Sequence, residues 1–503
     1  MGCLLVVVSN FVDSEPAGCL PSAEAAHIVH YLRSLALRIS TLVRALITRG
    51  LGSRMVSGFV IVAMLTVVSK AVSFVKDAAV ARQFGISDSL DAFMFSFALL
   101  TFIAALIGGG LPEAFMPKYA EVMHQKSPAR AKRLAVQSSL IHALILLFAA
   151  AVLFLFAPHF VGWTTRGFSV EKQALAVGVM RDLLPFMACL GISYQLSTWL
   201  RADKYFTVAA AAPMAVPLVI ILWLLLNQGS ATVDTLVHGT LAGGALHLGI
   251  LMYVLWRRDG LSPMFVLSCF KDWEPEVRGV LRGSVPFLVA GAIFNMAVVI
   301  DQAMASWLEA GSVSVLSYSD KVCGILLAVT AAPSCEVLFP YFADKVARRD
   351  WLGVKRQLFS SAGIILAAAL PAALLLSLLA PWIIALLFER GSFTAENTQR
   401  VADVLRFGAL QIPFYILGSL ASRVAVAMQA TRFIIVLATV AVVGNATFNW
   451  LLMQRYGAAG IALSTVLVQM ISAAMSCMFV LRMIRGKLDE AAASERVDED
   501  PGA

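Results

Sequence analysis

The chain has 503 residues, 59% of them hydrophobic and only 14% charged, against about 25% charged in ordinary soluble domains. That balance argues against a soluble enzyme. The net charge of +8 does not imply nucleic acid as a partner, because the basic residues gather in alternate loops rather than in one patch. The seven cysteines (Cys3, Cys19, Cys189, Cys269, Cys323, Cys335 and Cys477) have no metal-ligand or redox spacing and read as small buried hydrophobes.

Residues 1–54 come first and read unlike the rest. Arg33, Arg38, Arg44 and Arg49 are interspersed with apolar residues, which suits an interfacial amphipathic helix. Their steps of five or six do not hold one tight helical face. The alternative is an upstream extension, with the natural start at Met55. From there, hydrophobic runs recur at about 56–76, 89–112, 136–158, 176–200, 205–227, 235–256, 281–305, 312–340, 359–387, 401–427, 432–453 and 458–482. Each is long enough to cross a hydrocarbon core of roughly 30 Å. We therefore expect an all-α polytopic membrane protein of about twelve spans.

Loop charge sets the expected orientation. Lys118, Lys126, Arg130, Lys132 and Arg133 share one side with Arg201 and Lys204, with Arg257, Arg258, Lys271, Arg278 and Arg282, and with Lys345, Arg348, Arg349, Lys355 and Arg356. The opposite loops hold fewer basic residues, so the positive-inside rule places the first set and both termini in the cytoplasm. The acidic stretch after Lys487 reads as a disordered tail.

The chain also repeats. Pro117-Lys-Tyr-Ala-Glu121 closes the second span and Pro340-Tyr-Phe-Ala-Asp344 the eighth; Pro185-Phe186 in the fourth matches Pro413-Phe414 in the tenth. At that offset Leu200-Arg-Ala-Asp-Lys-Tyr205 matches Met428-Gln-Ala-Thr-Arg-Phe433. An offset of six spans preserves direction, so two parallel six-helix lobes with a central cavity are expected. The expected divisions are an extension at 1–54, an N-terminal lobe at 55–258, a cytoplasmic linker at 259–280, a C-terminal lobe at 281–485 and the tail at 486–503.

Charge inside the apolar runs marks candidate functional residues, because it is tolerated mainly where it faces a bundle interior or a wet cavity. Lys70 lies in span one, Asp301 in span seven, Lys321 and Glu336 in span eight, and Arg406 in span ten. Lys70, Lys76 and Lys321 are candidate contacts for a phosphate or carboxylate. Asp77, Arg82, Asp91 and Asp320 are candidate supporting charges. The plainer reading is an ion pair between lobes, for instance Lys70 with Asp320 or Asp301. Asp301, with Asn445 and Asn449 one helical turn apart and Thr465 in the next span, offers an oxygen-rich site for a monovalent cation or proton. Interhelical hydrogen bonding is the plainer reading there.

Gly108-Gly109-Gly110 is no phosphate loop, since no strand precedes it and no Lys-Ser/Thr follows. It reads as a place of close packing or bending near the end of span two. Pro185, Pro213, Pro217, Pro286, Pro333, Pro371 and Pro413 read as kinks. His142, His238 and His247 are isolated, and no catalytic or nucleotide motif is present. The expectation is not an enzyme, with no cofactor.

Ser69-Lys-Ala-Val-Ser-Phe-Val-Lys-Asp-Ala-Ala-Val-Ala-Arg-Gln-Phe-Gly85, then Asp91-Ala-Phe93 and Ala114-Phe-Met-Pro117, resembles the opening of the MurJ (MviN) lipid II flippases. Gly311-Ser-Val-Ser314, Tyr318-Ser-Asp-Lys321 and Gly391-Ser-Phe-Thr-Ala395 resemble later parts of that family. The similarity runs from about Ser53 to Ile484, which supports Met55 as the natural beginning. The resemblance implies the multidrug/oligosaccharidyl-lipid/polysaccharide exporter fold and alternating access. It also implies translocation of an undecaprenyl-pyrophosphate-linked saccharide in the bacterial inner membrane. The family's essential cavity arginines fall here on Lys70, Lys76 and Lys321, which keep the charge and lose the bidentate fork. Its charged positions deep in span two fall on the apolar stretch Phe102 to Gly109, and its two extra helices are missing.

The leading expectation is thus a lipid II flippase acting in peptidoglycan biosynthesis, coupled to sodium or protons. An exopolysaccharide or O-antigen flippase is the alternative, and a multidrug/cation antiporter a more distant one. The implied partners are a polyprenyl-pyrophosphate saccharide and membrane lipids, not nucleic acid; protein partners are not legible.

Overall fold

In the computed structural model, the described residues are 54–227, 231–260, 263–269, 273–428 and 430–499. The expectations for residues 1–53 lie outside them. The chain divides into two compact units, Met1–Leu65 and Thr66–Ala503, and everything below concerns the second. Its described residues are helical with connecting turns.

A backbone with no water to bond to must satisfy itself, which in a bilayer leaves the helix as the local solution for such a chain. The helices are α1 (Arg54–Phe84), α2 (Asp88–Gln125), α3 (Pro128–Thr164), α4 (Val170–Ala202), α5 (Phe206–Leu226) and α6 (Val233–Asp259). A short α7 (Pro263–Ser268) follows, then α8 (Glu276–Ala305), α9 (Ser312–Ala347), α10 (Trp351–Leu378), α11 (Ala380–Phe388), α12 (Ala395–Gly408), α13 (Gln411–Ala427) and α14 (Thr431–Glu499). Serines set several starts. The hydroxyls of Ser87, Ser127 and Ser169 accept from the backbone N–H groups of Leu90, Arg130 and Lys172, relieving donors that a first turn leaves unpaired.

Two boundaries differ from expectation. The helix of span two does not end at Gly108–Pro112 but runs on to Gln125 with Pro112 and Pro117 inside it. The acidic tail continues the last helix to Glu499. Within α14, Gly457 adopts φ 55° and ψ −136°, a conformation open to glycine. The break there separates spans eleven and twelve. Pro213 lies in a 3-10 turn, Ala212–Met214, that interrupts α5.

From Thr66 onward α1 stands with α2–α6 as one lobe, and α8–α14 form the other; nine of the described helices are long and apolar enough to cross a membrane. In the first, α4 packs against α2, α3 and α6, with α5 on α6. In the second, α13 packs against α9, α10 and α14. Between lobes α8 lies along α2: Gly110 leaves room for Leu288, Gly283 faces Ala114 and Gly291 faces Leu106. Gly108 likewise admits Tyr194 of α4, while nothing stands over Gly109.

The buried apolar residues explain how the lobes meet. One cluster joins both, from Val80, Leu90 and Phe95 to Val313, Tyr318, Phe388 and Val401. It lies at the end carrying the 85–87, 165–169 and 389–394 turns, here called the far end. At the opposite, basic-loop end the core splits. Leu111, Phe115, Leu134, Trp199 and Val277 form one cluster, and Phe342, Val354, Leu358, Val424 and Val480 a separate one. The lobes share one core at the far end; toward the basic end the core is in two parts, the first of which takes in Val277 and Val280 of α8.

Candidate functional site

Near the far end, α1 and α9 build a charged cluster. Asp77 of α1 is only 6% exposed. Its Oδ1 lies 2.7 Å from Lys76 Nζ and 2.9 Å from Lys321 Nζ of the opposite lobe. Neither Asp77 Oδ1 nor Lys321 Nζ has an aligned hydrogen bond, so these contacts are Coulombic and loosely directed. Tyr318, one turn before Lys321, places its ring 5.1 Å from the ammonium. It packs in turn on Phe388 and Phe393. Asp320 is exposed beside Lys321.

Lys70 is exposed and makes no ion pair among the described residues. Seven residues separate it from Asp77, so the two share a face of α1 and stand roughly 10 Å apart along the helix. The pairing of Lys70 with Asp320 or Asp301 does not form; the interlobe pair is Lys321 with Asp77.

Two expected cavity charges belong elsewhere. Arg82 sits at the far end, where its carbonyl accepts from Ser392 N at 2.8 Å. Asp91 is 1% exposed and closes the far end between the lobes. Its carboxylate accepts from Gly311 N at 2.7 Å, Ser314 N at 2.8 Å and Ser314 Oγ at 2.6 Å, all in the C-terminal lobe. Lys172 Nζ of its own lobe adds a fourth contact at 2.7 Å. The reason lies in the backbone: Gly311 has φ 87°, which turns the first N–H groups of α9 toward α2. Trp307 Nε1 donates to the Thr164 carbonyl at 2.7 Å in the same closure.

Sequence reasoning did not single out Lys172. Its only local signal was a place in the first turn after the Ser169 cap, shared by many loop bases.

In the C-terminal lobe Asp301 Oδ1 accepts from Asn445 Nδ2 at 3.0 Å and Asn449 Nδ2 at 2.6 Å. Thr465 turns its hydroxyl to its own helix, onto the Ile461 carbonyl, and Ser464 bonds the Asn445 carbonyl at 3.3 Å. The expected cluster thus brings three of its four residues together, with Ser464 in the place expected for Thr465. Asn449 Oδ1 is buried without a hydrogen-bond partner. No group of three or more His, Cys, Asp or Glu suited to a metal ion occurs among the described residues.

At the basic end the linker is held to the N-terminal lobe. Arg130 pairs with Glu274 at 2.6 Å and Lys126 with Glu276. Buried Gln137 donates to the Cys269 carbonyl at 2.8 Å and accepts from Glu274 N at 2.9 Å. Gln137 therefore fixes the linker that leads into α8.

Two helical lobes that share a core at one end, in a chain whose described residues hold nine helices long and apolar enough to cross a membrane, make a multi-pass membrane protein. Solved structures share this fold. A lipid II flippase MurJ in an inward closed conformation aligns with a TM-score of 0.70 and 19% identity, covering 85% of this chain and 91% of that one. An inward-facing multidrug resistance MATE family transporter aligns with a TM-score of 0.72 and 15% identity, covering 84% and 96%. The family model for lipid II flippase MurJ matches residues 80–494, and the chain belongs to that family. A probable lipid II flippase MurJ of Rhizobium tropici is 27% identical over 443 residues, 86% of this chain and 82% of that protein. The lipid II flippase MurJ of Burkholderia cenocepacia is 25% identical over 433 residues, covering 84% and 80%. Membership makes the chain a flippase of a lipid-linked substrate.

Proposed function

We propose that this flippase carries an undecaprenyl-pyrophosphate-linked saccharide, lipid II foremost, across the bacterial inner membrane by alternating access and without catalysis. Both termini and the basic loops lie in the cytoplasm on this reading, so a carrier whose lobes share a single core only at the far end faces inward.

The observation that carries the cargo reading is the charge between the lobes. Lys76 and Lys321 share the single carboxylate of the buried Asp77, and the exposed Lys70 stands on the same face of α1, an excess of positive charge around that carboxylate. Such an excess is stable when an anion shares the space, and a pyrophosphate supplies acceptors for several ammonium groups at once. Cargo binding between lobes favours whichever arrangement brings Lys321 and the span-one lysines onto the same phosphates, and only that difference in affinity moves the equilibrium. Asp301 with Asn445 and Asn449 is the proposed coupling site, its carboxylate and amide oxygens matching a sodium ion or a proton.

Lys70 gives the cleanest test, because it makes no ion pair among the described residues. Lys70→Ala should reach the membrane in normal amounts yet fail to complement loss of a lipid II flippase. Lys70→Arg should complement. Full complementation by Lys70→Ala would refute the anionic-cargo reading. Growth restored only when an exopolysaccharide flippase is missing would assign the alternative cargo.

A further inference from the structure

We propose that Asp77 is an internal stand-in for the cargo phosphate, occupying the lysines of both lobes while the carrier is empty. This rests on the pyrophosphate reading above. A flippase must return empty after each delivery, and two facing ammonium groups, one from each lobe, would resist the approach of the lobes that return requires. Asp77 removes that obstacle: a single oxygen lies 2.7 Å from Lys76 Nζ and 2.9 Å from Lys321 Nζ. It offsets one of the two charges and bridges them just where the lobes join, beside the aromatic packing of Tyr318, Phe388 and Phe393.

The geometry also suits release. Asp77 Oδ1 and Lys321 Nζ lack aligned hydrogen bonds, so a ligand with several well-placed oxygens competes effectively for the ammonium groups. Asp77 is anchored to α1 and cannot leave with the cargo. Lys70, on the same face roughly 10 Å nearer the basic end, meets an entering pyrophosphate first and passes it toward a site that Asp77 must yield. One carboxylate thus has two effects: it lowers the apparent affinity for cargo, and it makes the empty carrier able to reset.

These effects separate in a transport assay. Net flux requires the empty return, whereas exchange of labelled for unlabelled cargo across a vesicle membrane does not. Asp77→Asn should bind farnesyl pyrophosphate about tenfold more tightly than the parent in purified form, keep exchange, and lose most net flux. If Asp77→Asn fails to accumulate, the double variant Asp77→Asn with Lys76→Gln, which leaves no facing pair of ammonium groups to repel, should accumulate and keep both exchange and net flux. Unchanged affinity, or equal loss of exchange and net flux, would show that Asp77 only holds the helices together. Absence of farnesyl pyrophosphate binding in the parent protein would instead overturn the pyrophosphate reading itself.

Discussion

Lys172 and Asp91 belong to the same lobe, 2.7 Å apart, while the other three donors to Asp91 all come from the opposite lobe. When the far end opens, Asp91 must give up those three and keeps Lys172. The lysine is itself 7% exposed, rests over the Phe168 ring at 4.3 Å, and also pairs with the exposed Asp88. It is the group that travels with Asp91 through the transition.

Removing one member of a buried ion pair destabilises by about 3–5 kcal/mol, and here it leaves Asp91 an anion without its cation, held in the closed arrangement by three donors of the opposite lobe. In Lys172→Met that charge is better solvated when the far end opens, so the open arrangement should gain population. A cysteine placed at Ser312, in an otherwise cysteine-free protein, should be labelled by an impermeant thiol reagent added outside cells. Labelling should be several-fold faster with Lys172→Met than without it. Equal rates would remove Lys172 from the closure, and labelling only in inverted vesicles would reverse the proposed orientation.

The Asp301 cluster predicts a specific pattern of sodium or proton dependence. Asp301→Asn should slow cycling while leaving cargo binding intact, and Asn449→Ala should weaken the response to an ion gradient. Ser464→Ala should reduce it modestly, since Ser464 bonds the Asn445 carbonyl. Thr465→Ala should have little effect, as its hydroxyl is spent on the Ile461 carbonyl. Vesicle transport with and without each gradient reads all four. Gradient responses equal to the parent's in Asp301→Asn would leave these residues as interhelical packing.

Neighbouring glycines in α2 should behave oppositely. A side chain at Gly110 collides with Leu288 of α8, whereas Gly109 faces open space. Gly110→Val should destabilise by about 1–3 kcal/mol through overpacking of the lobe contact. Gly109→Ala should stabilise by roughly 0.5–1 kcal/mol, the usual gain from replacing a mid-helix glycine. Thermal unfolding of the purified protein in detergent distinguishes them. A higher melting temperature for Gly110→Val than for Gly109→Ala would contradict the packing of α8 on α2.

The sequence alone determined what the bilayer enforces. Long apolar runs must be helices because no other local structure satisfies the backbone in hydrocarbon. The six-span repeat in turn required two lobes of the same orientation. Charge within the apolar runs at Lys70, Lys321 and Asp301 was legible for the same reason: so costly a residue at that depth marks a candidate site. What residue types could not convey was pairing across distance. That Asp77 takes Lys321, that Asp91 caps α9 instead of lining the cavity, and that Ser464 replaces Thr465 depend on helix rotation and on partners as much as 244 residues apart in the chain. Helix rotation is set by the packing of neighbours such as Leu288 on Gly110. That packing exists only once the lobes have met.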